Sequence, residues 1–173
     1  MQYKIALDID DVLANFYSSF CARYGQPCKV IDIWDGQPGG EAEFIAKNVH
    51  KVEMNSRFWL NLDKLSHPQD INFKIDCYIT SSPARMNAAR KEWLLANGFP
   101  QVPVISTVNK LGEMIRRNID VLVDDNCRTL DTIKEHGFTP IQFIPPYMKI
   151  VREDLNPIRH LSEIPQLLIN LRR

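Results

Sequence analysis

Residues 4–13 read Lys-Ile-Ala-Leu-Asp-Ile-Asp-Asp-Val-Leu, an apolar run from Ile5 to Ile9 that ends in a cluster of carboxylates. A continuous apolar run of this length reads as a buried strand of the parallel-sheet kind. Such strands do not normally end in three acids. Asp8 and Asp10 are two residues apart, so on an extended backbone they project to the same side. Charge gathered there needs a compensating cation, and oxygen ligands at a strand end suit Mg²⁺. Taken alone, the segment reads more readily as a solvated acidic turn.

Three further runs change that balance. Cys77-Tyr78-Ile79 ends in Thr80-Ser81-Ser82-Pro83, Val102 to Ile105 is followed by Lys110, and Ile119-Asp120-Val121-Leu122-Val123 ends in Asp124-Asp125-Asn126. Each delivers a hydroxyl, an amine or a carboxylate near its C-terminal end, where ligands bind in open α/β sheets. Helical periodicity lies between the runs. Ser82 and Pro83 read as an N-cap and first-turn pair for a helix through about Asn97, stopped by Gly98. Lys110 to Asn118 reads as a short helix, and another follows the fourth run to Gly137. Pro140 to Ile144 reads as a fifth strand, and a terminal helix starts near Ser162. Strands alternating with helices imply a parallel sheet with right-handed crossovers.

The stretch between the first two strands is different. Val12, Leu13, Phe16, Phe20 and Tyr24 recur at helical spacing up to Gly25, residues 26–40 read as a Pro/Gly-rich loop, and Glu41 to about Asn55 looks helical. The expected architecture is therefore α/β, a three-layer Rossmann-like parallel sheet. Residues 1–13 and 74–173 form its core, and 14–73 a small helical cap over the carboxyl ends of the strands.

The order Asp-x-Asp, Thr, Lys, Asp-Asp resembles the four motifs of the haloacid dehalogenase (HAD) superfamily of phosphohydrolases. The resemblance runs from Ile5 to about Phe143, apart from the insertion. It implies a two-step reaction through an aspartyl-phosphate. Asp8 matches the nucleophile, Asp10 the general acid/base, and Thr80 the phosphoryl-binding hydroxyl, a role Ser81 could share. Lys110 matches the lysine that offsets phosphate charge. Asp124, with Asp125 beside it, matches the Mg²⁺ ligands, which Asp8 and the backbone carbonyl of Asp10 complete. Thr80 also reads as a plain turn-forming residue, and any single lysine as a solvated one. The dehalogenases of the superfamily need no Mg²⁺ and, as a family pattern, lack the second aspartate of the first motif. This chain has it, which favours phosphoryl transfer.

Residues 10–16, Asp-Asp-Val-Leu-Ala-Asn-Phe, are similar to the Asp-Gly-Val-Leu-Ala-Asp-Phe segment of the 5'(3')-deoxyribonucleotidases, with Asp11 in place of glycine and Asn15 in place of an acid. Ile79-Thr80-Ser81-Ser82-Pro83 is close to that family's Cys-Thr-Ser-Pro, with one extra residue before proline. The resemblance implies a 5'-nucleotidase acting on (deoxy)nucleoside monophosphates. Phe16, Trp34, Phe58 and Trp59 could stack on a base, worth about 1–3 kcal/mol where stacking is realised, or form the core of the cap. Arg57 and Arg85 could clamp phosphate or cover the base, or be ordinary exposed arginines. Alternatives are a phosphatase for sugar phosphates or other metabolites, a non-catalytic binding protein on the same scaffold, and a nucleic-acid end phosphatase.

Bulk composition narrows these. Hydrophobic content of 45% and charged content of 24% describe an ordinary globular chain. Lys+Arg of 21 balance Asp+Glu of 21, so no global field draws it to nucleic acid or membrane. No apolar run reaches the about 20 residues needed to span a bilayer, and the N-terminus shows no signal peptide. Cys21, Cys28, Cys77 and Cys127 form no Cys-x-x-Cys pair, which argues against zinc, while Cys77 and Cys127 sit in or beside expected core elements and read as buried thiols; a reducing cytoplasm fits this usage. The expected partner is a small phosphate monoester, with a homodimer left open as the assembly.

Overall fold

A computed structural model describes residues 3–25, 28 and 41–171. The loop expected over 26–40 and Trp34 lie outside the described residues, apart from Cys28, which is exposed. Five strands, β1 (Ile5–Leu7), β2 (Cys77–Thr80), β3 (Val104–Ser106), β4 (Val121–Asp124) and β5 (Thr139–Gln142), form one parallel sheet in the order β3-β2-β1-β4-β5. The chain builds outward from β1 in one direction through β2 and β3, then restarts beside β1 with β4. That reversal opens a crevice at the carboxyl ends of β1 and β4.

Alternation along the strands explains the layers. Leu7, Val121 and Val123 join one apolar cluster, whereas Ala6, Ile79 and Leu122 join another on the opposite face. Both faces are covered, so the strands read as nearly unbroken apolar runs. The helices are α1 (Phe16–Arg23), α2 (Glu41–Asn48), α3 (Ser56–Leu60), α4 (Asn87–Ala96), α5 (Lys110–Arg117), α6 (Cys127–Glu135) and α7 (Ile164–Asn170). Among the described residues, none is long and apolar enough to cross a membrane.

Two local departures from the sequence expectation bear on the site. The helix expected from Val12 starts only at Phe16, because Asp11 adopts φ of 59° and folds residues 9–14 into a tight turn, with Leu13 and Ala14 N–H groups both on the Ile9 carbonyl. An L residue in the left-handed region cannot belong to a right-handed helix. Ser82 and Pro83 do not begin α4. Pro83 caps a 3₁₀ turn over Ala84–Met86, and α4 starts after it. Ser82 is held instead by Thr80, whose hydroxyl oxygen accepts the Ser82 N–H at 3.1 Å.

Between β1 and β2 the described chain is helical, with α1, α2, a 3₁₀ turn at Val49–Lys51 and α3. α3 packs on α4, where Trp93 donates its indole N–H to the Leu62 carbonyl at 2.7 Å.

Candidate active site

The pairing of β1 with β4 builds the centre of the site. Leu7 is in register with Val123, and the Asp8 N–H donates to the Val123 carbonyl at 2.9 Å, so Asp8 and Asp124 emerge side by side. Two carboxylates placed together without water repel. Lys110 lies between them, its Nζ 2.6 Å from Asp8 and 2.7 Å from Asp124. All three are buried. Lys110 is the first residue of α5, where the helix dipole disfavours a cation. The two acids, not the helix, hold it there.

Burial pushes the Asp8 carboxyl up to about 7, with Lys110 pulling it down and Asp124 and Asp10 adding to the rise. For Lys110 burial works against the charge, but Asp124 and Asp8 outweigh it and hold the ammonium above its usual range. Asp11, also buried, is pushed up to about 7 by desolvation, opposed by Tyr147 and by the Tyr17 N–H that its carboxylate accepts at 2.9 Å.

Asp8, Asp124 and Asp125 each bring a carboxylate oxygen to within 4.8 Å of the others. Asp10 and Asp11 line the same cavity, and the buried cations among the described residues pair with Asp8 and Asp124 (Lys110) and with Asp10 (Arg90). This all-oxygen set with its surplus of negative charge fits a hard divalent cation such as Mg²⁺.

Asp10 sits apart from the Lys110 bridge. One of its oxygens pairs with Arg90 Nη2 at 2.5 Å, and the other accepts the Thr80 hydroxyl at 3.2 Å. Thr80 is fully buried behind Asp10, so Ser81 and Ser82, not Thr80, line the cavity. Arg90 escaped the sequence reading. It occupies the buried stripe of α4 with Ala89, Trp93 and Leu94. An arginine at an apolar position of a helix was the signal that could have found it. Burial lowers its pKa, and Asp10, Asp8 and Asp11 act to keep it charged.

The cavity over these groups has a volume of about 690 Å³. Phe16, Ile45, Val49 and Trp59 form an apolar wall, and Asp8, Asp10, Lys110, Asp124 and Asp125 form the floor. Phe16 and Trp59 stack on each other at 5.5 Å and 15°, and Phe58 meets both edge-on. Trp59 is 2% exposed and Phe16 8%, with Phe16 stacked on both Trp59 and Phe20 and Trp59 between Phe16 and Arg90, so neither ring offers an open face. Arg57 is exposed and does not line the cavity. Arg85 is also outside the lining and pairs with Glu53, which does line it.

No family model matches the sequence, and no curated protein matches it. Solved structures do. A conserved haloacid dehalogenase-like protein of unknown function from Agrobacterium tumefaciens matches with a TM-score of 0.63 at 12% identity, covering 99% of this chain and 100% of that one. The fold is haloacid dehalogenase-like. An L-2-haloacid dehalogenase matches with a TM-score of 0.59 at 10% identity, over 97% of this chain and 100% of its own. At such identities the likeness speaks for the haloacid dehalogenase-like fold, and the chemistry has to be argued from the side chains.

Proposed function

We propose that this protein is a Mg²⁺-dependent phosphatase that hydrolyses small phosphate monoesters through an aspartyl-phosphate. The observation that carries the reading is the triangle Asp8–Lys110–Asp124 with the separately held Asp10 two residues from Asp8. A halide leaves without a proton. An alkoxide does not, and Asp10 is the acid at hand. One solved neighbour is named a haloacid dehalogenase. A second aspartate and a three-carboxylate cluster favour the ester over the halide here.

In the first step an Asp8 oxygen bonds to phosphorus as the ester P–O bond breaks, and the departing alcohol takes a proton from Asp10. In the second, water gives that proton back to Asp10 while its oxygen bonds to phosphorus and the Asp8–phosphorus bond breaks. The Ile9 N–H, donating to Asp8 at 2.7 Å, holds one carboxylate oxygen so that the group keeps its orientation. Lys110 offsets the charge of phosphate and nucleophile. A cation held by Asp8, Asp124 and Asp125, with the Asp10 carbonyl, would neutralise phosphoryl charge and favour in-line attack.

The helical segment between β1 and β2 serves as a cap in this reading, since Phe16, Val49 and Trp59 from it wall the cavity. A cavity of about 690 Å³ with one apolar wall accommodates a nucleoside monophosphate, the preferred substrate class. The test is phosphate release from nucleoside 5'- and 3'-monophosphates and sugar phosphates, with Mg²⁺ or EDTA, beside Asp8→Asn and a haloacid control. Mg²⁺-dependent turnover that Asp8→Asn abolishes, with nucleotides ahead, supports the whole reading. Preference for sugars removes the nucleotide assignment, and halide release without phosphate release removes the phosphatase.

A further inference from the structure

Arg90 has no free surface, yet among the described residues its Nε and Nη1 have no hydrogen-bond partner. An arginine kept for structure usually spreads its donors over several carbonyls, because each buried donor left unpaired is costly. Here Nη2 makes one strong contact, to Asp10 at 2.5 Å. The rest of the guanidinium is held by rings, 5.2 Å over Trp59 and 5.6 Å over Trp93. Those indoles are themselves pinned, Trp59 to the Val52 carbonyl at 2.9 Å and Trp93 to the Leu62 carbonyl at 2.7 Å. The fold has built a rigid mount for a cation whose one polar contact among the described residues is the Asp10 carboxylate.

Among the described residues, the two buried cations divide the acids between them. Lys110 serves Asp8 and Asp124, and its contacts to them leave it committed. Asp10, repelled by the nearby Asp8, would otherwise turn toward Lys110 or out to water. We propose that Arg90 is the positioning residue for Asp10, fixing its carboxylate at the cavity edge and out of the Asp8–Lys110–Asp124 triangle. Thr80 braces the second Asp10 oxygen at 3.2 Å, so the group is held from two elements, α4 and β2. The catalytic part of this inference rests on the phosphatase reading, and the geometric part does not.

The test compares Arg90→Met, Arg90→Lys, Asp10→Asn and Arg90→Met/Asp10→Asn, with melting temperature confirming that each folds. Arg90→Met is expected to lower kcat/KM for an alkyl monophosphate by about 10²-fold or more, the scale of a misplaced general acid. It is expected to spare p-nitrophenyl phosphate, whose leaving group departs without a proton, because kcat/KM reports only the steps through ester cleavage. The double variant should lose no more than Asp10→Asn alone, and Arg90→Lys, which keeps the charge, should recover part of the loss. Equal losses on both esters, or losses that multiply in the double variant, would overturn the proposal. If the wild type turns over no ester, the phosphatase reading fails. Crystal structures then decide this one independently: Asp10 should swing from its position in Arg90→Met and move less in Arg90→Lys, and a carboxylate unmoved in Arg90→Met overturns it.

Discussion

Lys110 and Asp8 are 102 residues apart in sequence and 2.6 Å apart in space, with Asp124 on the lysine's other side at 2.7 Å. Removing one partner of a buried pair leaves the others unpaired, at a cost of about 3–5 kcal/mol. Lys110→Met is therefore expected to destabilise the metal-free protein on that scale at pH 8, with part of the loss escaped by protonation of Asp8. Mg²⁺ should restore part of it, since a cation at Asp8 and Asp124 replaces the missing charge. Urea unfolding in EDTA and in Mg²⁺ measures both. A variant as stable as wild type in EDTA would mean that the bridge contributes nothing.

The metal-free protein should lose stability as pH rises through neutrality, for a reason that Asp8→Asn isolates. Burial holds the folded Asp8 carboxyl at about 7, above its unfolded value of 3.8. Between those values the folded state binds more protons, so stability falls as pH climbs through that window and stays lower above it. Asn carries no charge to desolvate. In EDTA, Asp8→Asn should melt close to wild type near pH 4 and above it at pH 8, by about 2–4 °C per kcal/mol relieved in a chain of this size. Its turnover should be abolished at every pH. A melting-point difference that shrinks toward pH 8 would sink the electrostatic account.

Asp11 sits at φ of 59°, a conformation that favours glycine and tolerates Asp or Asn. Its carboxylate also accepts the Tyr17 N–H inside α1. Asp11→Asn keeps the backbone preference and the acceptor while shedding a charge that burial disfavours, so it should match or exceed wild type at pH 8. Asp11→Gly keeps the backbone and loses the acceptor. Asp11→Ala loses both and adds about 1–2 kcal/mol of left-handed strain. The expected order of denaturation midpoints is Asn, then Gly, then Ala, and a reversal of the last two would show that φ is relaxed in solution.

These residues also show what could be read from the chain. The strands were legible because both faces of the sheet are covered, which makes Ile5–Leu7 and Val121–Val123 unbroken apolar runs ending in acids. Parallel pairing then brings those ends together with no further signal. The turn at Asp11 was not legible, since Val12, Leu13 and Phe16 fit helical spacing and only the φ of the folded backbone reveals the break. Arg90 was missed because its partner lies 80 residues away and no local pattern marks a buried ion pair. Arg85 and Arg57, the candidates to clamp phosphate or cover a base, stay outside the cavity lining, because side-chain direction on a short helix or turn is set by packing that spacing does not encode.

Trp59 tests whether the aromatic wall reads a base or only supports the site. Its ring is taken up by Phe16 and Arg90, and with 2% exposure it has no open face for stacking. Trp59→Phe keeps a ring in place but leaves the Val52 carbonyl without its indole donor, an expected cost of about 1–3 kcal/mol in stability. The ratio of kcat/KM for a nucleoside monophosphate over a sugar phosphate should barely move, because no stacked base is lost. A fall of about fivefold or more in that ratio, equivalent to about 1 kcal/mol, would mean that the wall opens to give the base a ring face. Specificity would then belong to a rearranged cavity, and the static wall of Phe16, Ile45, Val49 and Trp59 would describe only the closed one.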